Sequence, residues 1–182
     1  MSEAGTARIE VRLRELAQLF NSMDPSPFID RDLDADAEEF IVSWARELPG
    51  TTEFELVIHV ATVPPADRAA GAGEAVRHYF ASRAEIRQRE FRRLMRQGRV
   101  SLAVGLLFLG VCVVLSEIVT TMGYGTTGEI VRESLLIGGW VAMWRPLEIY
   151  LYDWWPLRDD RRLLERLARM NVRLVLPATG NP

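Results

Sequence analysis

The chain has 182 residues, with 22 basic and 25 acidic side chains, a formal net charge of −3 and a pI near 5.5. That balance carries no nucleic-acid signature. One cysteine, Cys112, excludes a disulfide, a cysteine-rich zinc cluster and a cysteine nucleophile built around it.

The charge is segregated along the chain. All 22 basic residues are arginine. Asp24 to Glu39 carries seven acids against one arginine, and Arg83 to Arg99 carries seven arginines against two glutamates. The first sixteen residues, MSEAGTARIEVRLREL, are charged and lack an apolar h-region, so no cleavable signal is expected and targeting falls to the first apolar span. Ile9, Leu13, Leu16, Ala17 and Phe20 form a one-sided stripe that predicts a first helix, ended by Asn21–Pro27. A second helix is predicted from Asp34 to Leu48, with Ala37, Phe40, Ile41, Trp44 and Leu48 on one face and acids in the first turn, where they favour the helix dipole. Asp30-Arg-Asp32-Leu-Asp34-Ala-Asp36 fails the calcium-loop template, because Ala35 and Ile41 stand where its glycine and final glutamate belong.

Thr51 to Thr62 reads as a strand, with Phe54, Leu56, Ile58 and Val60 alternating against Glu53, Glu55, Val57 and His59. Pro64-Pro65 opens a long helix with no clear stop before Arg99. Run on through the apolar segment to about Thr121, it would be a rod of ~80 Å. Val100 to Leu115 is uncharged and apolar on every face, which suits lipid rather than the core of so short a chain. Roughly 20 such residues cross a ~30 Å hydrocarbon slab, so this is the first predicted transmembrane helix.

Gly123–Gly128 reads as a turn, and Ser134–Tyr152 as a second span interrupted by Arg145, Pro146 and Glu148; an interfacial amphipathic helix is the alternative. Tyr150, Tyr152, Trp154 and Trp155 make an aromatic belt at its exit. A predicted helix, Arg158–Met170, and a strand, Asn171–Pro177, close the chain, with Arg173 placed to pair with Glu55. The reading thus divides the chain into a cytoplasmic α/β part (1–63), a long basic helix (64–99), a transmembrane helix (100–122), an external loop (123–133), a second transmembrane helix (134–153) and a cytoplasmic helix and strand (154–182). The expected fold is membrane α+β, a helical hairpin continued by long cytoplasmic helices, with a small domain of two N-terminal helices and two strands.

Arginines flank both spans: Arg83, Arg87, Arg89, Arg92, Arg93, Arg96 and Arg99 precede the first, and Arg158, Arg161, Arg162, Arg166 and Arg169 follow the second. The loop holds only Arg132. The positive-inside rule then expects both termini in the cytoplasm. Arg89, Arg92, Arg93, Arg96 and Arg99 are candidate contacts for anionic lipid headgroups. Cys112, Ser116 and Thr120 on one arm, and Ser134, Gly138 and Ala142 on the other, repeat every four residues, as small-residue packing between membrane helices requires. Folding the hairpin near Gly125 puts Cys112 opposite Gly138, Ser116 opposite Ser134 and Arg145 opposite Gly105. Glu117 with Arg132 is a candidate ion pair. Arg145 and Glu148, three apart, either pair within their helix or line a polar path or headgroup site. Pro146 predicts a kink.

Residues 138–156, GGWVAMWRPLEIYLYDWWP, and 24–49, DPSPFIDRDLDADAEEFIVSWARELP, resemble segments of uncharacterised two-span bacterial inner-membrane proteins. The resemblance implies a bacterial inner-membrane location and brings no activity, cofactor or catalytic residue. His59 and His78 have no acid or nucleophile at a recognisable spacing, and no phosphate loop, metal cluster or nucleophile elbow is present, so an enzyme is not expected, nor a cofactor or metal. The expected partners are membrane lipids and further copies of the chain, with no nucleic acid. The expected function is a homo-oligomeric membrane scaffold; the alternative is an oligomeric channel or transporter component lined by Glu117, Arg132, Arg145 and Glu148.

Overall fold

The computed structural model describes residues 6–48, 53–123 and 125–177; Thr51, Thr52 and Tyr124, which the sequence places in a strand and a turn, lie outside them. The chain is mostly helical, in the order β1 (Thr6–Leu13), α1 (Ala35–Glu47), β2 (Glu53–Val60), α2 (Ala66–Met122), α3 (Gly125–Ala142), α4 (Trp144–Glu148), a π-helical turn (Ile149–Asp153), α5 (Trp154–Leu167) and β3 (Asn171–Val175). It divides into two compact units. One comprises the residues up to Arg87 and those from Asp159 onward, and the other comprises Gln88–Arg158.

The first unit corrects the sequence reading at its start. The expected first helix is strand β1, so the domain has one N-terminal helix and three strands rather than two and two. Ile9, Val11 and Leu13 alternate with Arg8, Glu10 and Arg12, and this period of two prevails over the helical stripe because β1 lies in register along the whole of β2, from Thr6 opposite Glu53 to Leu13 opposite Val60. What remains of the stripe beyond Leu13 is one short 3-10 turn, Leu16–Leu19, whose Leu16 and Leu19 are buried.

The sheet is wholly parallel in the order β1-β2-β3, with Glu55 opposite Asn171 and His59 opposite Val175 on the far side. Parallel neighbours need crossovers, and right-handed crossovers in this strand order place every connecting helix on one face. The core has that composition. Ile9 and Val11 of β1 and Phe54, Leu56, Ile58 and Val60 of β2 cluster with Ile41 and Ala45 of α1, Ala72, Val76 and Phe80 of α2, and Leu164 and Leu167 of α5. Among the described residues the opposite face carries no helix. It presents Arg8, Glu10 and Arg12 from β1, Glu55, Val57 and His59 from β2, and Arg173 from β3. Glu55 is buried there and accepts from both flanking strands, from Arg8 Nε at 3.1 Å and paired with Arg173 Nη2 at 3.0 Å.

Helix α1 begins where an N-cap is available. The Asp34 carboxylate accepts from the Asp36 N–H at 3.1 Å, and Asp36 and Glu38 sit in the first turn. Its buried positions are Ile41 and Ala45. Phe40 and Trp44, expected inward, are 42% and 49% exposed and lie beside each other with ring centroids 6.1 Å apart. An Asp34→Ala change should destabilise α1 by about 1 kcal/mol, seen as faster amide exchange in its first turn; unchanged exchange would remove the cap from the account.

The second unit contains the apolar half of α2, which is one uninterrupted helix of 57 residues. It runs through Gly98 without a break. The chain reverses at Gly123 and Gly125, whose φ angles of 69° and 59° lie in the left-handed region that a side chain disfavours. Residues 125–133, expected as loop, are already helical in α3. The expected second span is not one helix. It is divided at Met143 and again by the π-helical turn, with Pro146, which has no N–H to give to Ala142, inside the short α4 between them.

Candidate functional site: an apolar hairpin flanked by arginines

Within the second unit, α2 and α3–α4 pack antiparallel through small residues. A methyl group added at Gly105 would stand 3.1 Å from the Ala142 carbonyl and 3.1 Å from Met143 Sδ. One added at Gly98 would stand 2.9 Å from Ile149. Gly139 is tighter still, at 2.7 Å from Leu109 Cδ1 and 3.3 Å from Cys112 Cβ. Gly98, Gly105 and Cys112 are seven apart, so one seam of α2 faces the return arm, as in a coiled coil built from small residues.

This corrects the predicted contacts. The glycine against Cys112 is Gly139, while a methyl at Gly138 meets nothing within 4 Å. Cys112 and Ser116 are buried, Ala142 is half-buried with its carbonyl against Gly105, and Ser134 is exposed. Ser116 and Thr120 turn their hydroxyls onto their own helix, donating to the carbonyls of Val113 and Ser116 at 2.9 Å each. Arg145 does not lie against Gly105. Its Nη1 donates to Glu148 at 2.8 Å and lies 3.4 Å from Asp153, so the guanidinium is met by two carboxylates of its own segment. Among the described residues no ion pair joins Glu117 to Arg132, and both side chains are exposed.

The rest of the hairpin surface is apolar and open. Val104, Leu107, Val114 and Met122 on α2 and Ile130, Ile137, Trp140 and Trp144 on the return arm are more than half exposed. Only 17% of the most apolar eighteen-residue stretch of α2 is buried, and among the described residues α2 is the one helix long and apolar enough to cross a membrane. At the far end of the return arm, Tyr152 and Trp155 are exposed, Trp154 donates from its indole to the Tyr150 carbonyl at 2.8 Å, and Arg158 stands over the Trp154 ring. On α2 the flank is Arg89, Arg92, Arg93, Arg96 and Arg99, all exposed. Among the described residues, Arg92, Arg93, Arg96 and Arg99 have no carboxylate partner.

In the first unit the acidic segment has internal employment. Backbone N–H groups of Asp32 and Ser26 donate to Asp24 at 2.8 and 2.9 Å and, with the Ser26 hydroxyl, lower its carboxyl to a pKa of about 2. Glu38 accepts from the Tyr79 hydroxyl at 2.7 Å and from Arg83 at 3.0 and 3.2 Å, and Asp30 lies 3.5 Å from His78. Burial and the bond to Glu38 push the Tyr79 phenol well above its ordinary value. Arg46 donates to Asp160 at 3.0 Å, bringing α1 to α5. These long-range pairs had no sequence signal. Among the described residues no group of three or more His, Cys, Asp or Glu side chains is placed to hold a metal ion. No family model matches the chain, and no curated protein or solved structure matches it significantly.

Proposed function

We propose that this protein is an integral protein of the bacterial inner membrane that spans the bilayer twice, with both termini cytoplasmic, and acts as a homo-oligomeric scaffold presenting an α/β unit to the cytoplasm. The observation that carries the membrane part is the open apolar surface of α2, which water would penalise at about 25 cal/mol per Å². Two spans fit better than one, because the return arm packs closely along α2 and exposes its own apolar residues. Arginines placed at both outer ends of the hairpin, and almost absent from its turn, support the orientation.

Self-association is supported by the sheet. Wholly parallel sheets usually have both faces covered by helices, yet here, among the described residues, one face has no helix over it and β1 and β3 are both edge strands. Assembly that covers this face or extends an edge would make the unit a building block. The channel alternative has less support, because Arg145 is already neutralised by Glu148 and Asp153. Within the chain, Glu38 of the acidic segment already pairs with Arg83.

Cysteine labelling in a Cys112→Ser background tests the topology. Thr126→Cys should react with an impermeant thiol reagent on intact cells and Ser82→Cys should not; labelling of Ser82→Cys from outside overturns the orientation. Native mass spectrometry tests the assembly, and a monomer that persists in both mild detergent and lipid nanodiscs would refute the scaffold reading.

A further inference from the structure

We infer that the hairpin holds an anionic phospholipid in a defined groove, a specific binding site and not a diffuse basic collar. The inference rests on the membrane reading above. A groove of about 640 Å³ runs along α2 within the second unit. Arg93 and Arg96 line one end, Val100, Val104 and Phe108 line its length, and Gly105 forms its floor beside Ala142. The groove is there because Gly105 lets the return arm approach. A side chain at that position would run into the Ala142 carbonyl and the Met143 sulfur.

Its chemistry changes along its length in one direction. Two guanidiniums that lack a carboxylate partner among the described residues lie at one end, and beyond Gln97 and Ser101 the walls are hydrocarbon. Arginine forks suit phosphate, which they can engage with paired N–H donors. From Arg96 to Phe108 the helix rises through twelve residues, or ~18 Å, about the depth of one leaflet of a ~30 Å slab. A ligand that matches both ends therefore has an anionic phosphodiester at the arginine end and an acyl chain lying on Val100, Val104 and Phe108. A free phosphate would use only the arginines, and a neutral hydrophobe only the wall.

Arg92 and Arg99 provide the internal comparison. They lie in the same part of α2, are exposed and lack carboxylate partners among the described residues, but they do not line the groove. A general attraction of basic residues to an anionic surface would use all four arginines alike. A site would use Arg93 and Arg96.

The test is native mass spectrometry of the full-length protein, delipidated in detergent and then mixed with phosphatidylglycerol or phosphatidylcholine. One phosphatidylglycerol adduct should survive activation where phosphatidylcholine does not, and millimolar glycerol phosphate should not displace it. Arg93→Gln with Arg96→Gln should weaken the adduct by about tenfold or more, while Arg92→Gln with Arg99→Gln should leave it within about twofold. Val104→Trp, which fills the groove and keeps every charge, should also weaken it. Equal losses in the two arginine pairs, an adduct indifferent to Val104→Trp, or displacement by glycerol phosphate would each overturn the site. Alkaline carbonate extraction of membranes separates the two readings. A protein that resists extraction but shows no selective adduct loses the groove alone, and one that is extracted loses the membrane reading with it.

Discussion

Replacing Gly139 with leucine should open the hairpin and expose Cys112, raising the rate of Cys112 modification by an apolar thiol reagent in mild detergent about 30-fold, the equivalent of ~2 kcal/mol. The size follows from the seam. A Cβ at Gly139 would stand 2.7 Å from Leu109 Cδ1, 3.4 Å from the Leu109 Cα and 3.3 Å from Cys112 Cβ. The first neighbour can rotate away and the second is at ordinary contact distance, but the Cys112 Cβ is fixed to its backbone and gives way only if the helix moves. Overpacking of this kind costs typically 1–3 kcal/mol. Cys112 is the natural reporter, being the only thiol, 4% exposed and in contact with the substituted position. The control is one residue away. Gly138→Leu adds the same side chain where nothing lies within 4 Å, so its rate should stay within about twofold of the parent, in the range of an ordinary surface change. Equal acceleration by both variants would show that the arms do not meet at Gly139.

The same two glycines show where the sequence stopped being informative. That small residues line the contact is legible from the four-residue repeat of Cys112 and Ser116, whereas the seven-residue seam of Gly98, Gly105 and Cys112 emerges only from the packing. Which return-arm residue meets them is not, because one residue along a helix turns a side chain by about 100°. The turn fixes that phase, and its two left-handed glycines let α3 start at Gly125, so the arms begin to pair earlier than a loop ending at residue 133 would allow. The α/β unit shows the same division. Strands β2 and β3 and helix α1 are legible from periodicity and a capping aspartate. Strand β1 is ambiguous, since Ile9, Leu13, Leu16 and Phe20 satisfy a helix while Ile9, Val11 and Leu13 satisfy a strand. Only the partner β2, more than forty residues away, decides between them. Phe40 and Trp44 mislead for a related reason. A stripe containing Ala37, Phe40, Ile41, Trp44 and Leu48 is wide, and the helix has turned Ile41, with Ala45 from beside the stripe, into the core. Of the site, the charge flank and the apolar length could be read directly. The groove could not, because its floor exists only where Gly105 meets Ala142.

Glu38→Ala should cost the α/β unit about 2 kcal/mol, read as roughly 30-fold faster amide exchange in β2 of the full-length protein. Glu38 lies in the first turn of α1 and its carboxylate binds two groups of α2, the Tyr79 hydroxyl and the Arg83 guanidinium. Tyr79 is 8% exposed, so without Glu38 its hydroxyl loses its acceptor in a place that water reaches poorly. Arg46→Ala is the useful contrast. It also removes a pair between elements, but the Arg46 side chain is 60% exposed, and exposed pairs contribute ~0.2–1 kcal/mol. Exchange that accelerates equally in the two variants would mean that Glu38 is only another surface charge. The pH dependence gives a separate reading. The folded Tyr79 phenol has its pKa raised, by burial first and by Glu38 second, above an unfolded value near 10. Its contribution is therefore complete below about pH 10 and is lost as pH rises through the folded value, because the unfolded chain gives up the proton first. Tyr79→Phe should flatten that alkaline loss while keeping the Glu38–Arg83 pair, and Glu38→Gln, which retains an acceptor but not the charge, should bring the Tyr79 titration down toward its ordinary value. A Tyr79 titration unmoved by Glu38→Gln would leave burial alone as the cause and take the carboxylate out of the account.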